Sequence, residues 1–196
     1  MNPAKILLFL TILMLGLLAG CGGRTLSQYT LKSPSTAPVA SSPYRHATVR
    51  VDYPHGIDDT MGTRIYFSKE DLTRAPYRYS RWSQPLNRLL MAHIIEALQR
   101  ARIFRQVLDY ASEAPADYRL ETTIYRFDHH LLESGDSVAL ISLEVRLLSS
   151  RDSRILRSRR FDYRIPCGRT DARGFIEAAN RALDRFARDL VRWLSR

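Results

Sequence analysis

The chain has 196 residues, 45% hydrophobic and 26% charged, the composition of one folded domain with extra segments. Its formal charge is +10, and of its 30 basic residues only Lys5, Lys32 and Lys69 are lysine. Two cysteines exclude a disulfide-stapled scaffold, and nine Gly with nine Pro exclude a collagen-like or low-complexity chain.

The chain opens on a short positive segment, Met1 to Lys5, followed by Ile6 to Leu18, apolar apart from Thr11 and Gly16. That run is shorter than the ~20 residues needed to cross a ~30 Å hydrocarbon core. It suits the apolar region of a secretory signal. It ends Leu18-Ala19-Gly20-Cys21, small residues before a cysteine, as in a bacterial lipobox. Residues 1–20 are therefore expected to be a signal peptide, and Cys21 a lipidation site carrying acyl chains such as palmitate. Two or more chains hold a protein to a membrane stably, at ~0.8 kcal/mol per buried CH₂. The mature protein would lie outside the cytoplasm, which excludes nucleic acid as a partner despite the charge. Gly22 follows Cys21 where an inner-membrane retention signal has Asp. By resemblance to sorted lipoproteins this implies the outer membrane, with the domain facing the periplasm.

Residues 21–43 read as the lipidated N-terminus and a flexible tether rich in Ser, Thr, Pro, Ala and Gly. Fully extended at ~3.1 Å per residue, Gly22 to Pro43 would reach roughly 68 Å. Tyr29-Thr30-Leu31 interrupts it with strand-forming residues, so part of it can dock on the domain.

Residues 44–196 form the folded domain. Ala47 to Tyr53 alternates like a strand, Pro54 to Gly62 is a loop with Asp58-Asp59 in its turn, and Arg64–Phe67 can pair with Tyr77–Ser80. A helix then starts at Ser83-Gln84-Pro85, with Ser83 able to cap it and Pro85 tolerated in its first turn. Leu86, Leu90, Ile94, Ala97 and Ala101 share one face of this helix, and His93 sits at the edge of that apolar arc. A short strand is expected within Ile103–Leu108. Longer antiparallel ones are expected within Asp117–Phe127, Ser137–Leu148 and Arg154–Ile165, with turns at Glu133–Asp136 and Ser150–Ser153. From Thr170 a second helix puts Phe175, Ala179, Ala182, Phe186, Leu190 and Trp193 on one stripe. Arg181, Arg185, Arg188, Arg192 and Arg196 lie on the opposite one. The order of elements predicts an α+β fold: one domain, an antiparallel or mixed sheet with two main helices packed on it.

No nucleophile elbow, Walker loop, dinucleotide fingerprint or His-Glu-x-x-His is present. His129-His130 are adjacent, so on a strand they point to opposite faces and are poorly placed to share a metal; a strand end or exposed loop accounts for them. No catalytic residue, metal or cofactor is assigned. Cys167 reads as a small apolar residue near a strand end, the other reading being an intermolecular disulfide or a reactive thiol. The arginine stripe has two readings as well. It is a solvated, compositionally biased face, or Arg181, Arg185, Arg188 and Arg192 meet anionic head groups or an acidic partner, for which arginine's planar fork is suited.

Tyr79, Trp82 and Pro85 are expected to form a structural anchor where a strand enters the first helix, the indole sealing the junction. In order along the chain stand Cys21, Tyr29-Thr30-Leu31, Tyr79-x-x-Trp82-x-x-Pro85, Ala116-Asp117-Tyr118-Arg119-Leu120 and a terminal helix closing on Trp193-Leu194. Together they resemble the PqiC-like auxiliary lipoproteins of ABC-type transport systems, associated with MCE-type lipid transport. The resemblance implies a non-enzymatic outer-membrane lipoprotein that docks a periplasmic conduit. Its partners would be a periplasm-spanning MCE-type protein and its ABC transporter, with membrane contact through the lipid anchor and homo-oligomerisation as a further expectation. Two other readings stand beside it: a regulatory lipoprotein that binds and activates a cell-wall synthase, and an assembly factor for lipopolysaccharide export.

Overall fold

In a computed structural model, residues 25–56, 61–69 and 73–196 are described. The signal peptide, Cys21 and Asp58-Asp59 lie outside the described residues. The framework is a run of three long strands, β7 (Tyr118–Leu131), β8 (Ser137–Ser149) and β9 (Ile155–Pro166), joined as consecutive antiparallel neighbours. Alternation makes them. Ala139, Ile141, Leu143, Val145 and Leu147 are at most 1% exposed, while the side chains between them face the other side. In β7, Leu120, Thr122 and Ile124 face the core; a register shift between Ile124 and Arg126 then turns Phe127 and His129 inward.

The other edge of β7 is shared by three strands in succession, all parallel to it: β2 (Thr48–Val51) at its start, β3 (His55–Gly56) in the middle and β4 (Arg64–Lys69) at its end. β2 carries β6 (Gln106–Leu108), and β4 carries β5 (Arg74–Trp82), which in turn carries β1 (Ser27–Tyr29). The result is one mixed, unclosed sheet of nine strands. The stretch Pro54–Gly62, expected as loop, thus includes a two-residue strand. β5 is longer than the Tyr77–Ser80 expected of it because its first half pairs with β4.

Helices α1 (Leu86–Ala101) and α2 (Ala172–Leu194) pack on one face, giving the expected α+β fold. All six residues of the α2 stripe from Phe175 to Trp193 are buried. Asp171 caps this helix by accepting the Gly174 N–H at 2.8 Å. A side chain at Gly174 would place its Cβ 2.1 Å from the Arg169 carbonyl oxygen, so the turn into α2 admits glycine alone. α1 starts differently from expectation. Pro85, not Ser83, holds the cap position, with no side-chain cap. The Ser83 N–H is used elsewhere, donating to the Tyr29 carbonyl.

The segment expected as a tether is docked from Ser27 onward. After β1, Leu31 and Val39 pack on the core and Pro34 is buried. Four further hydrogen bonds hold it: Lys32 N–H to Asn180, Ser35 N–H to Asp184, the Thr36 hydroxyl to the Ala97 carbonyl, and Val39 N–H to the Ala101 carbonyl. It is a strap across both helices. Isolated apolar residues at wide spacing give no periodic signal, which is why composition alone reads as linker. His93 is buried beneath the strap, 5% exposed, rather than at a boundary. Its Nδ1 lies 3.1 Å from the Lys32 carbonyl and its Nε2 3.2 Å from the Leu183 carbonyl. With one N–H in its neutral form, the imidazole donates to one of these two carbonyls, and it sits packed between the strap and α2.

Candidate interaction surface

Trp82 ends β5 at 2% exposure, where it meets Phe127 and Phe175 edge-on at 5.9 and 6.4 Å. Phe127 and Phe175 are themselves edge-on at 6.1 Å, and Phe175 stacks on His129 at 5.5 Å. Trp82 and Pro85 stand together at the strand-to-helix junction. Tyr79 does not join them: it is 39% exposed, with the Arg78 guanidinium 5.7 Å above its ring. The reason is register. Between β4 and β5, Arg64 pairs with Arg81 but Tyr66 with Pro76, so Tyr79 falls in the bulged stretch and points out of the core.

His129 is fully buried inside β7, not at an exposed end, and the Tyr77 hydroxyl lies 2.6 Å from its Nδ1. Burial holds its pKa down, from the ordinary 6.5 to about 4, so the ring is neutral at neutral pH. His130 takes the opposite face and lies 3.0 Å from the Ser68 hydroxyl. Ser68 also donates to Asp128, whose other oxygen accepts from Arg126. Both oxygens of that carboxylate are thus engaged by neighbours. Among the described residues no group of three or more His, Cys, Asp or Glu is placed to hold a metal. Burial pushes the half-buried Cys167 thiol above its ordinary value, which suits a packed side chain and not a reactive thiolate.

Arg181, Arg185, Arg188 and Arg192 are all exposed along α2. Three of them already hold local partners: Arg181 donates to the Pro166 carbonyl at 2.7 Å, Arg188 pairs with Asp184, and Arg192 pairs with Asp189 at 3.2 Å. Against burial, the Ser35 N–H and Arg188 keep the Asp184 carboxyl below its usual range. Asp189 also accepts the Tyr163 hydroxyl at 3.0 Å. Burial and that carboxylate raise the phenol's pKa; Arg159 and Arg185 oppose the shift. A second set of arginines, which the sequence reading did not single out, comes from β9. Arg157 lies 4.8 Å over the Trp193 ring, Arg159 5.0 Å over Phe161, and Arg160 4.3 Å over Tyr125 on the opposite face. Between strap and helices runs an open cleft of about 420 Å³ lined by Lys32, Ser35, His93, Asn180, Arg181 and Asp184. No helix of the described residues is long and apolar enough to cross a membrane.

The architecture is an open sheet backed by two helices, with arginines along its edge strand and its last helix. The chain belongs to the family of ABC-type transport auxiliary lipoprotein components, whose family model matches residues 29–191. The match includes the strap and both helices, and it bears out the resemblance drawn from the sequence. Among solved structures the fold is similar to protein XCC0632 from Xanthomonas campestris, of the DUF330 family, at 23% identity. The match covers 86% of this chain and 95% of that one, with a TM-score of 0.77. An uncharacterized protein matches at 16% identity over 87% and 99% of the two chains, TM-score 0.67. No curated protein matches.

Proposed function

We propose that this chain is the non-enzymatic, outer-membrane-anchored lipoprotein of an MCE-type envelope lipid-transport system, docking the periplasmic conduit at the outer membrane. The observation that carries the reading is the family match over residues 29–191. The N-terminal lipobox pattern ending in Cys21 and the arginine-rich exposed face support it. The anchor supplies position. Because the strap is docked from Ser27, the stretch Cys21–Ser27 can span no more than about 20 Å at ~3.3–3.6 Å per residue. Lipidation at Cys21 would then keep the domain close beneath its membrane, far short of the reach of a free tether. Specific binding falls to the domain, which meets a periplasm-spanning MCE-type protein. The cell-wall synthase reading has no observation in its favour.

Replacing Cys21 by Ser and fractionating the cells tests the anchor. The expected result is an unprocessed chain lost from the outer membrane; a variant still processed and retained there by itself refutes it. Mild extraction of the wild type, followed by copurification, tests the partner. An MCE-type protein is expected in the eluate, and its consistent absence overturns the docking role.

A further inference from the structure

Among the described residues β9 pairs with β8 alone, so one side of a twelve-residue strand has no neighbour. An unpaired strand edge is a row of free N–H and C=O groups, and proteins blunt such edges by shortness, proline, charged side chains or cover. The other edges are blunted in those ways. β1 and β6 are three residues long, and the stretch of β5 beyond β1 carries Pro76. β9 is long and has no proline before its last residue, Pro166; the device it has is charge, which repels a like-charged strand and admits an acidic one. It also exposes Ile155 at 52% and Leu156 at 37%.

What β9 has is arginine. Residues of one parity, Arg157 and Arg159, lie on the helix side over Trp193 and Phe161. Residues of the other parity, Arg160 and Arg164, lie on the open side, where Asp162 is the strand's one carboxylate and is already paired with Arg160. Arg185 of α2 stands close enough to Tyr163 to act on its phenol together with Arg159. The pattern selects the occupant. A second copy would bring to β9 a strand with the same excess of positive charge, four arginines against one carboxylate, and like charges across a strand pair destabilise it. An acidic extended segment would form the ladder and meet arginine on both of its faces.

We propose that the free edge of β9 is a strand-addition site for an acidic, extended segment of a partner protein, the backbone supplying the ladder and the arginines the selectivity. This deepens the docking role proposed above by naming the chemistry of the partner segment. The probe is a blocked ten-residue peptide of alternating Val and Glu, compared with its Val–Lys counterpart and with a version N-methylated at every second residue. Binding to the full chain in detergent is read by fluorescence anisotropy, and the location by hydrogen exchange. The Val–Glu peptide is expected to bind and to protect amides within 155–166. N-methylation and the double change Arg157→Glu with Arg159→Glu are each expected to weaken it at least tenfold. Equal binding of the N-methylated peptide, or protection elsewhere, overturns the proposal. So does binding of the wild type to phosphatidylglycerol vesicles, lost in the double variant, with no binding of the peptide. The peptide result does not depend on copurification of an MCE-type protein, so failure of either reading leaves the other to be judged separately.

Discussion

At the scale of single residues, the aromatic group around Trp82 and the buried His129 carry the sharpest consequences. Trp82 is 2% exposed and touches two phenylalanines from β7 and α2, so it joins three elements at once. Truncating a buried Trp costs ~3–5 kcal/mol. With ~2–4 °C per kcal/mol for a domain of this size, Trp82→Ala should lower the melting temperature by about 6–20 °C. An unchanged melt would refute its role as a seal. His129 ties stability to pH. Its folded pKa, about 4, lies below the ordinary 6.5, so the unfolded chain binds the proton more readily than the native one. The contribution is complete above about pH 6.5 and is lost as pH falls towards the folded value. Burial lowers His93 in the same direction. Melting temperature should therefore fall between about pH 6.5 and 4.5, a window above most carboxylate titrations. Changing Tyr77→Phe together with His129→Phe removes the ring and its hydroxyl partner and should flatten that slope. An unaltered slope would place the dependence elsewhere.

At the scale of elements, the strap shows how little regular structure a stable arrangement needs. The strap is held by two carbonyl-acceptor bonds, two bonds to α2 side chains and a few apolar contacts, among them Leu31 and Val39. His93 adds a contact from below. His93→Leu roughly keeps the volume and removes the imidazole's one N–H donor, a loss of ~0.5–1.5 kcal/mol for a typical hydrogen bond. Hydrogen exchange of residues 30–39 should accelerate markedly while the centres of β7 and β8 keep their protection. Uniform acceleration would show that strap and sheet open as one unit. β7 illustrates the opposite case, a strand long enough to be shared. Its fourteen residues pair with β8 on one edge and with three short strands on the other.

At the scale of the whole molecule, half of the +10 charge lies on the last helix and the free strand edge: four arginines against Asp162 on β9, and five arginines against Glu177, Asp184 and Asp189 on α2. Exposed ion pairs contribute only ~0–1 kcal/mol each, so α2's arginines are not needed for folding. Arg185→Glu with Arg192→Glu should leave the melting curve within a degree or two of wild type. If the stripe meets the partner, copurification should weaken and its salt dependence should become shallower, because exposed charges act mainly on encounter and ionic strength. Unchanged binding with unchanged salt dependence would make the stripe a solvated face. The docked strap sets the geometry in which this charge works, since an anchor at Cys21 leaves at most about 20 Å before Ser27.

The α+β class, both helices and their buried stripes, and the alternation of β7 and β8 were legible in the sequence, because period and turn residues are local properties. The family was legible too, from short motifs in a fixed order. Tertiary structure alone decided the rest. The docking of residues 27–39 depends on surfaces far along the chain, such as Asn180 and Asp184, which no window of the tether contains. Tyr79 left the anchor through a bulge set by strand pairing, and His93 and His129 became buried because neighbours closed over them. That β9 lacks a second neighbour among the described residues is likewise a matter of topology. Arginines at both parities of a strand read as a solvated segment until the fold shows that the strand is long, ordered and unpaired on one side. Local chemistry sets what each segment can form, and only the assembled sheet determines which polar groups are left for a partner.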